Sequence, residues 1–340
     1  MTNKHAPLTK SQKWSVLIIV LWTSVLLTVL VTAMAGKVRL SAQTVAHNQD
    51  VSTHWAAVMS SVHQAEMELM LEMMAPPIDQ EVELTEDGEA RNPRYRFNGQ
   101  PLTLHYPQAE EMVVRIYDHA GKINLNRIPR RNMQMLIEKR LGRMDADPEQ
   151  VQDLLSAWTD WTDLNNLEGL NGAEEDYYQS LDLGYSPRNN PELDTVEEIL
   201  HIRGFAELLA GVILEAAFTI YGNNRSVNLN LATREAMALL PGLDEVLIEN
   251  ILAFREFEDI NNRAEVGEIV PFENLQELSA WIGTNTSQIY SVYVYPRTAR
   301  SEAQQLALEE TQEFVNPDPV MRAYMEVVEA RTYTALPRLY

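Results

Sequence analysis

Oxygen-bearing side chains crowd one stretch of this 340-residue chain: Asp160, Asp163, Asn165, Glu168, Glu174, Glu175 and Asp176, with Gly169 and Gly172 among them. Calcium takes several oxygen ligands, carboxylates and carbonyls, from a flexible loop. Glycines let such a loop turn its carbonyls inward. The D-x-[DN]-x-[DN]-G spacing of an EF-hand is absent. Composition alone favours a solvated acidic loop, yet no other stretch is a plausible metal site. The seven histidines are scattered without a His-Glu-x-x-His, and cysteine is absent, so no zinc set can be completed. His47, His54 and His63 read as surface or packing residues of a helix. Neither a G-x-S-x-G elbow nor a phosphate loop occurs. An enzyme is not expected, and no catalytic residue is assigned.

Two short sequences repeat. Ile123-Asn124-Leu125-Asn126 precedes a helical pattern through Met133, Leu136 and Ile137, and Val227-Asn228-Leu229-Asn230 precedes one through Met237, Leu239 and Leu240. Residues i and i+2 of an extended segment face the same way. Paired Asn side chains there can bond backbone groups at the start of a helix. The expected role is structural rather than catalytic. A weaker echo pairs Asp194–Leu200 with Glu273–Leu278.

The elements that must position these residues begin with an uncharged run from Trp14 to Gly36. As a helix, Trp14–Ala35 spans roughly 33 Å at about 1.5 Å per residue, close to the hydrocarbon thickness of a bilayer. A cleaved signal peptide has a shorter core and an A-x-A site. The expectation is therefore a leader-like segment over 1–13 and a transmembrane helix over 14–36. Val45, Val51, Trp55, Val58, Met59, Val62, Leu69 and Met73 recur with helical period, so the helix continues over 37–75, its second half covering the protein's own sheet. Pro76-Pro77 stops it.

Residues 76–93 read as a loop. Tyr95–Asn98 and Pro101–Tyr106 read as strands around an Asn98-Gly99 hairpin turn, and Met112–Tyr117 as a third strand. Helical patterns dominate from about 121 to 288. Strand character returns at Ile289–Tyr295 and Val320–Tyr333, with a helix over 299–313 between them. The predicted fold class is α+β: a long N-terminal transmembrane and amphipathic helix packed on a small antiparallel sheet formed by 76–120 and 289–340. A large α-helical domain, 121–288, is inserted and carries both N-L-N repeats.

The net charge of −22 is unevenly spread: residues 1–39 hold five basic and no acidic residues, and the rest holds 22 basic and 49 acidic. A surface that negative repels nucleic acid and anionic lipid. The lack of cysteine excludes disulfide staples but not an oxidising compartment. Lys4, Lys10 and Lys13 precede the span, and the acidic bulk follows it. A cytoplasmic N-terminus with the remainder exported fits this best.

In their order, these motifs resemble the K-type minor pseudopilin family of the type II secretion system. Leu21-Trp22 in the long helix comes first, then the I-N-L-N turn. Asp160-Trp161-Thr162-Asp163-Leu164-Asn165, Gly172-Ala173-Glu174 and Tyr177-Tyr178 match the family's D-W-I-D-x-D…G-A-E…Y-Y. Tyr185, Asn189 and Pro191 fit its Y-x-x-x-N-x-P, and Glu198-Ile199 with Arg203-Gly204 fit its E-L…K/R-G. The likeness covers about residues 15–295.

The resemblance implies a pilin-like sheet and a protein that forms or caps the tip of the pseudopilus, supporting export across the outer membrane. Its implied partners are the I- and J-type minor pseudopilins, met through the N-terminal helix and sheet. Its implied place is the inner membrane, single-pass, with the bulk of the chain in the periplasm. Calcium is implied as well, with Asp163, Asn165 and Glu174 as the leading ligands and Asp160 and Asp176 next. One departure stands out. The family's leader ends in Gly just before the apolar run, whereas Lys13 and Trp14 stand here with no Gly upstream. Cleavage and methylation by prepilin peptidase are therefore in question. The family's lack of a glutamate at the fifth mature position is kept: with Ser15 first, Ile19 is fifth.

Val227–Arg255 also resembles a helix-hairpin-helix module, with Leu240-Pro241-Gly242 followed by Ile251–Arg255. A membrane-anchored DNA-uptake receptor is thus the alternative. Such modules use a Gly-x-Gly hairpin whose backbone amides contact phosphate. Here Gly242-Leu243-Asp244 puts a carboxylate in the place of the second Gly, and residues 227–290 hold three Arg against 11 Asp or Glu. No nucleic-acid partner is expected.

Overall fold

The computed structural model describes residues 10–72, 97–102, 112–142, 146–296 and 324–329. The expected loop over 76–93, the Pro76-Pro77 stop, most of the Pro101–Tyr106 strand and the helix over 299–313 lie outside these residues. By internal contacts the chain divides into two compact units, Met1–Ala57 and Val58–Tyr340.

The described part of the first unit is helix. α1 runs Lys10–Glu72, 63 residues without a proline. Every side chain from Ile18 to Thr53 is exposed. Thr23, Thr28 and Thr32 donate their hydroxyls to the carbonyls of Val20, Ser24 and Thr28, so the helix satisfies them itself. An apolar surrounding with no water demands that. Among the described residues this is the one helix long and apolar enough to cross a membrane, and it fits a single-pass anchor.

In the second unit, α1 buries Val58, Ser61, Val62, Ala65, Glu68 and Leu69. Steps of three and four place them on one helix face. The expected stripe therefore holds at Val58, Val62 and Leu69, while Val45, Val51 and Trp55 are exposed.

The sheet has the order β1 (Asn98–Pro101), β2 (Met112–Asp118), β7 (Ile289–Pro296), β8 (Tyr324–Glu329), all neighbours antiparallel. The expected strands Met112–Tyr117 and Ile289–Tyr295 are met by β2 and β7, and β8 falls inside Val320–Tyr333. Every residue of β2 is buried, so both faces of the sheet are covered at this strand. Tyr117 and Tyr293 meet edge-to-face at 5.4 Å and pack with Ala216 from the helical block.

The Asn98-Gly99 pair is not a hairpin turn. It lies inside β1, where the register against β2 slips between Asn98 and Pro101. Gly99 has φ +90°, and a Cβ there would lie 1.9 Å from the Tyr117 ring. The same Gly that favours a turn here permits a bulge against a buried aromatic.

Between β2 and β7 the chain leaves the sheet and returns. Asp118 ties the two ends: its Oδ1 accepts from Ala120 N (2.7 Å) on the way out and from Ser287 N (3.1 Å) on the way back. His119 bridges Thr219 Oγ1 (2.6 Å) and Ser291 Oγ (2.7 Å), and burial, then the Lys122 charge, holds its pKa well below the ordinary value.

The excursion holds two halves. The first contains β3 (Ile123–Asn124), α2 (Arg130–Arg140), α3 (Pro148–Thr162), α4 (Glu175–Ser180), α5 (Phe205–Leu208), α6 (Leu214–Ala217) and β4 (Phe218–Thr219). The second contains β5 (Val227–Asn228), α7 (Arg234–Leu239), α8 (Glu245–Phe257), α9 (Arg263–Ile269), α10 (Phe272–Leu278) and β6 (Ile282–Gly283). β3 pairs with β4 and β5 with β6, each in parallel. One apolar core, including Met133, Trp158, Phe205, Ile248 and Trp281, runs through both halves.

The N-L-N repeats clamp each half. Asn126 donates to Leu193 O (3.2 Å) and accepts from Leu193 N (2.7 Å). Asn230 treats Ile260 alike, at 2.9 Å and 2.9 Å. The first Asn of each pair accepts from the backbone N–H of the second at 3.0 Å. The expected contact with a helix start does not occur, because α2 and α7 begin four residues after the last Asn. Thr233 caps α7 instead, accepting from Ala236 N.

The clamps also correct the echo. Asp194 N donates to Glu198 and Asn261 N to Glu265, at 2.8 and 2.7 Å. Asp194–Leu200 therefore corresponds to 261–267, not to Glu273–Leu278.

Candidate functional site

Asp160 sits in the last turn of α3, Asp163 caps its C-terminus, and Glu174 is the N-cap of α4. The loop between the two helices folds back, so that one carboxylate oxygen from each residue lies within 4.8 Å of the others. Asp160 organises the return. Its buried carboxylate accepts from Gly169 N at 3.1 Å and Ala173 N at 2.9 Å. Backbone comes so close that a Cβ on Gly172 would lie 1.7 Å from Asp160 Oδ2. Glycine is needed there for approach.

Asp163 accepts from both Asn165 N and Asn165 Nδ2, each at 2.9 Å. The Asn165 side-chain oxygen in turn accepts from Leu167 N at 2.8 Å. Asp176 is exposed on α4 and outside the cluster. Of the five expected ligands the structure brings together Asp160, Asp163 and Glu174. Asn165 holds the edge of the group through Asp163.

Glu174 is the anomaly. It is 4% exposed, and neither carboxylate oxygen has a hydrogen-bond partner. Burial first, then the charges of Asp160 and Asp163, pushes its pKa up to about 7. Leaving a buried carboxylate without donors is costly. Three converging carboxylates, one of them starved of partners, suit a hard cation with oxygen ligands.

The surrounding motif residues act as scaffold. Trp161 packs edge-to-face on Tyr178 at 5.2 Å and donates to Glu198 at 3.1 Å. Arg188 grips both oxygens of Glu198 at 2.9 Å. Arg203 donates to Gly172 O (2.8 Å) and to Asn171 O, while Tyr178 Oη accepts from Arg203 N (3.1 Å). The sequence marks Arg203 only as a motif member. Its part in pinning the acidic loop depends on a contact 31 residues away in the chain, and local pattern carries no signal for that.

Residues 121–214 match the first-domain profile of type II secretion system (T2SS) protein K. The motif resemblance is thereby met over the segment that contains Asp160, Asp163, Glu174 and their scaffold. The protein K segment starts at Gly121, between Asp118 and the first N-L-N turn, and ends at the start of α6. Among solved structures, the chain is similar to one in the GspK-GspI-GspJ complex of the enterotoxigenic Escherichia coli Type 2 Secretion System. The identity is 13% and the TM-score 0.45, over 76% of this chain and 89% of that one. No curated protein matches it.

Proposed function

We propose that this chain is a K-type minor pseudopilin that caps the tip of the type II secretion pseudopilus and supports export across the outer membrane. The observation that carries this reading is the protein K domain, which occupies the first half of the excursion between two neighbouring strands. We read residues 121–288 as an inserted domain on a pilin-like sheet. α1 anchors it in the inner membrane, with the N-terminus cytoplasmic and the acidic bulk periplasmic. Its partners are the I- and J-type minor pseudopilins, as the motif resemblance implies. The role is assembly rather than catalysis. Full-length protein co-expressed with I- and J-type pseudopilins should co-purify with them and form short, finite complexes in electron micrographs. Long filaments of the protein alone, or no association with pilin-like proteins, would sink the reading.

The acidic site is read as a calcium site, with Asp160, Asp163 and Glu174 as carboxylate ligands, and Asn165 and Asp176 at its margin. Calcium would supply the positive charge that Glu174 lacks and fix the loop between α3 and α4. Metal that binds only the folded state raises its stability by mass action. Calcium should raise the thermal midpoint of the wild type over chelator and should do so much less for Asp163→Ala. An unchanged wild-type midpoint rejects the site.

A further inference from the structure

The second N-L-N repeat builds more than a clamp. Asn228 Nδ2 donates to Asn285 O (3.2 Å), and Asn230 holds Ile260 just ahead of Asn261-Asn262-Arg263. Between these two segments lies an open cavity of about 520 Å³. Its polar lining includes Arg225, Ser226, Asn261, Asn262, Arg263 and Thr284, and no carboxylate. That lining is unusual in a chain with 49 Asp and Glu against 27 Lys and Arg.

Among the described residues, the two cavity arginines are not consumed by internal ion pairs, unlike several others. Arg127 pairs with Glu192, Arg188 with Asp194 and Glu198, and Arg234 with Glu245 and Glu249. The side chains of Arg225 and Arg263 have no hydrogen bond or ion pair among the described residues. The first half gives an internal comparison. There Arg127, the residue after the N-L-N turn, joins Glu192 at 2.8 Å to Asn223 at 3.2 Å, beside the clamped Leu193. Leu231 follows the second turn and, being apolar, cannot form that ion pair.

We propose that this cavity binds a single carboxylate carried on an otherwise uncharged, extended peptide of a protein partner. A guanidinium matches a carboxylate in paired, near-parallel hydrogen bonds, and two arginines line one cavity here. The space is far larger than a carboxylate, and its hydroxyl and amide lining suits the flanking peptide groups. A long polyanion is disfavoured, because the field of a chain of net −22 opposes it at range. The proposal stands apart from the secretion reading, since it needs only this cavity.

The test uses full-length protein immobilised in detergent micelles and two pools of end-capped random hexapeptides of uncharged residues. Each member of one pool carries one Glu, and each member of the other one Gln. The Glu pool should be retained at least about ten-fold over the Gln pool, a binding difference of about 1.4 kcal/mol, more than one exposed ion pair gives and in keeping with two arginines acting together. Arg225→Gln with Arg263→Gln should abolish the difference. Lys37→Gln with Arg39→Gln, which removes the same charge elsewhere, should leave it intact. Both cavity arginines are exposed, so the thermal midpoint should not move; if the double variant unfolds, each single variant must lower retention. Equal retention of the pools, no retention of either, or retention that survives the arginine changes overturns the proposal. So does arginine-dependent binding of inorganic phosphate or duplex DNA in preference to the Glu pool.

Discussion

At the scale of the residue, Glu174 is where the chain departs most from what folding alone favours. Its folded-state pKa, about 7, lies above the ordinary 4.5. A carboxylate raised in this way stabilises the fold in its protonated form, and that contribution is lost as pH rises through the folded value. In chelator, the wild type should therefore lose stability between about pH 4.5 and 7. Glu174→Gln, neutral at every pH, should lack that loss. Calcium should reverse the trend in the wild type, because ionised Glu174 is the form that binds metal. Melts at pH 5 and pH 8, with and without calcium, decide it, and a pH dependence unchanged in Glu174→Gln rejects the assignment. The residue types of the acidic cluster were legible in the sequence because carboxylates near glycines mark a loop. What the sequence withheld was which oxygens converge. That choice is made by Asp160, whose two backbone contacts set the loop and whose role reads as a mere D-W motif in one dimension.

At the scale of the element, the two N-L-N turns show a motif whose repetition is visible and whose partner is not. The paired Asn side chains do bond backbone, as their spacing implies, but they reach Leu193 and Ile260 rather than the next helix. Local sequence fixes which way a side chain faces and leaves open what comes to meet it. Asn98-Gly99 makes the same point, since Gly permits a bulge as readily as a turn until Tyr117 decides. Asn230→Ala removes a donor and an acceptor at once from Ile260, leaving two half-buried backbone groups without partners. A loss of about 1–3 kcal/mol is expected for such a deletion. Denaturant unfolding of the variant measures it. Because Asn230 also aligns 260–263, the same variant should weaken the Arg263 wall of the cavity, whereas Asn126→Ala should cost similar stability and leave that wall intact. Equal effects of both variants on the cavity would show that the clamps do not act locally.

At the scale of the whole molecule, charge and topology each make a prediction. DNA binding should be absent. Phosphate affinity rests on counterion release by basic groups, and residues 227–290 carry 11 acidic against three basic. The hairpin itself is engaged within the fold: Lys139 donates to Leu240 O and Leu243 O at 2.6 and 2.7 Å, and Asn274 to Gly242 O at 2.8 Å. A low-salt gel shift is the most permissive check, and micromolar binding there would restore the uptake-receptor alternative. The second prediction concerns capping. A heterologous interface propagates only while each subunit offers a free surface to the next, and on our proposal a block of some 168 residues (121–288) inserted in one connection would obstruct one side alone. The alternation of strand and helix patterns made the helix-rich excursion between β2 and β7 legible from sequence. The register of the sheet could not be read there, yet it makes excision feasible. Asp118 and Tyr290 are partners across β2 and β7, so their Cα atoms are within about 5.5 Å and a two-residue Asn-Gly turn can join the strands. Excision also uncovers Tyr117 and Tyr293, which now pack against Ala216, so the shortened protein should be less stable and is first checked for folded sheet by circular dichroism. If the insertion is what ends growth, the shortened chain, co-expressed with I- and J-type pseudopilins, should form assemblies longer than those of the intact chain. Folded, shortened protein that still yields only short complexes would place the block to growth in α1 or the sheet instead.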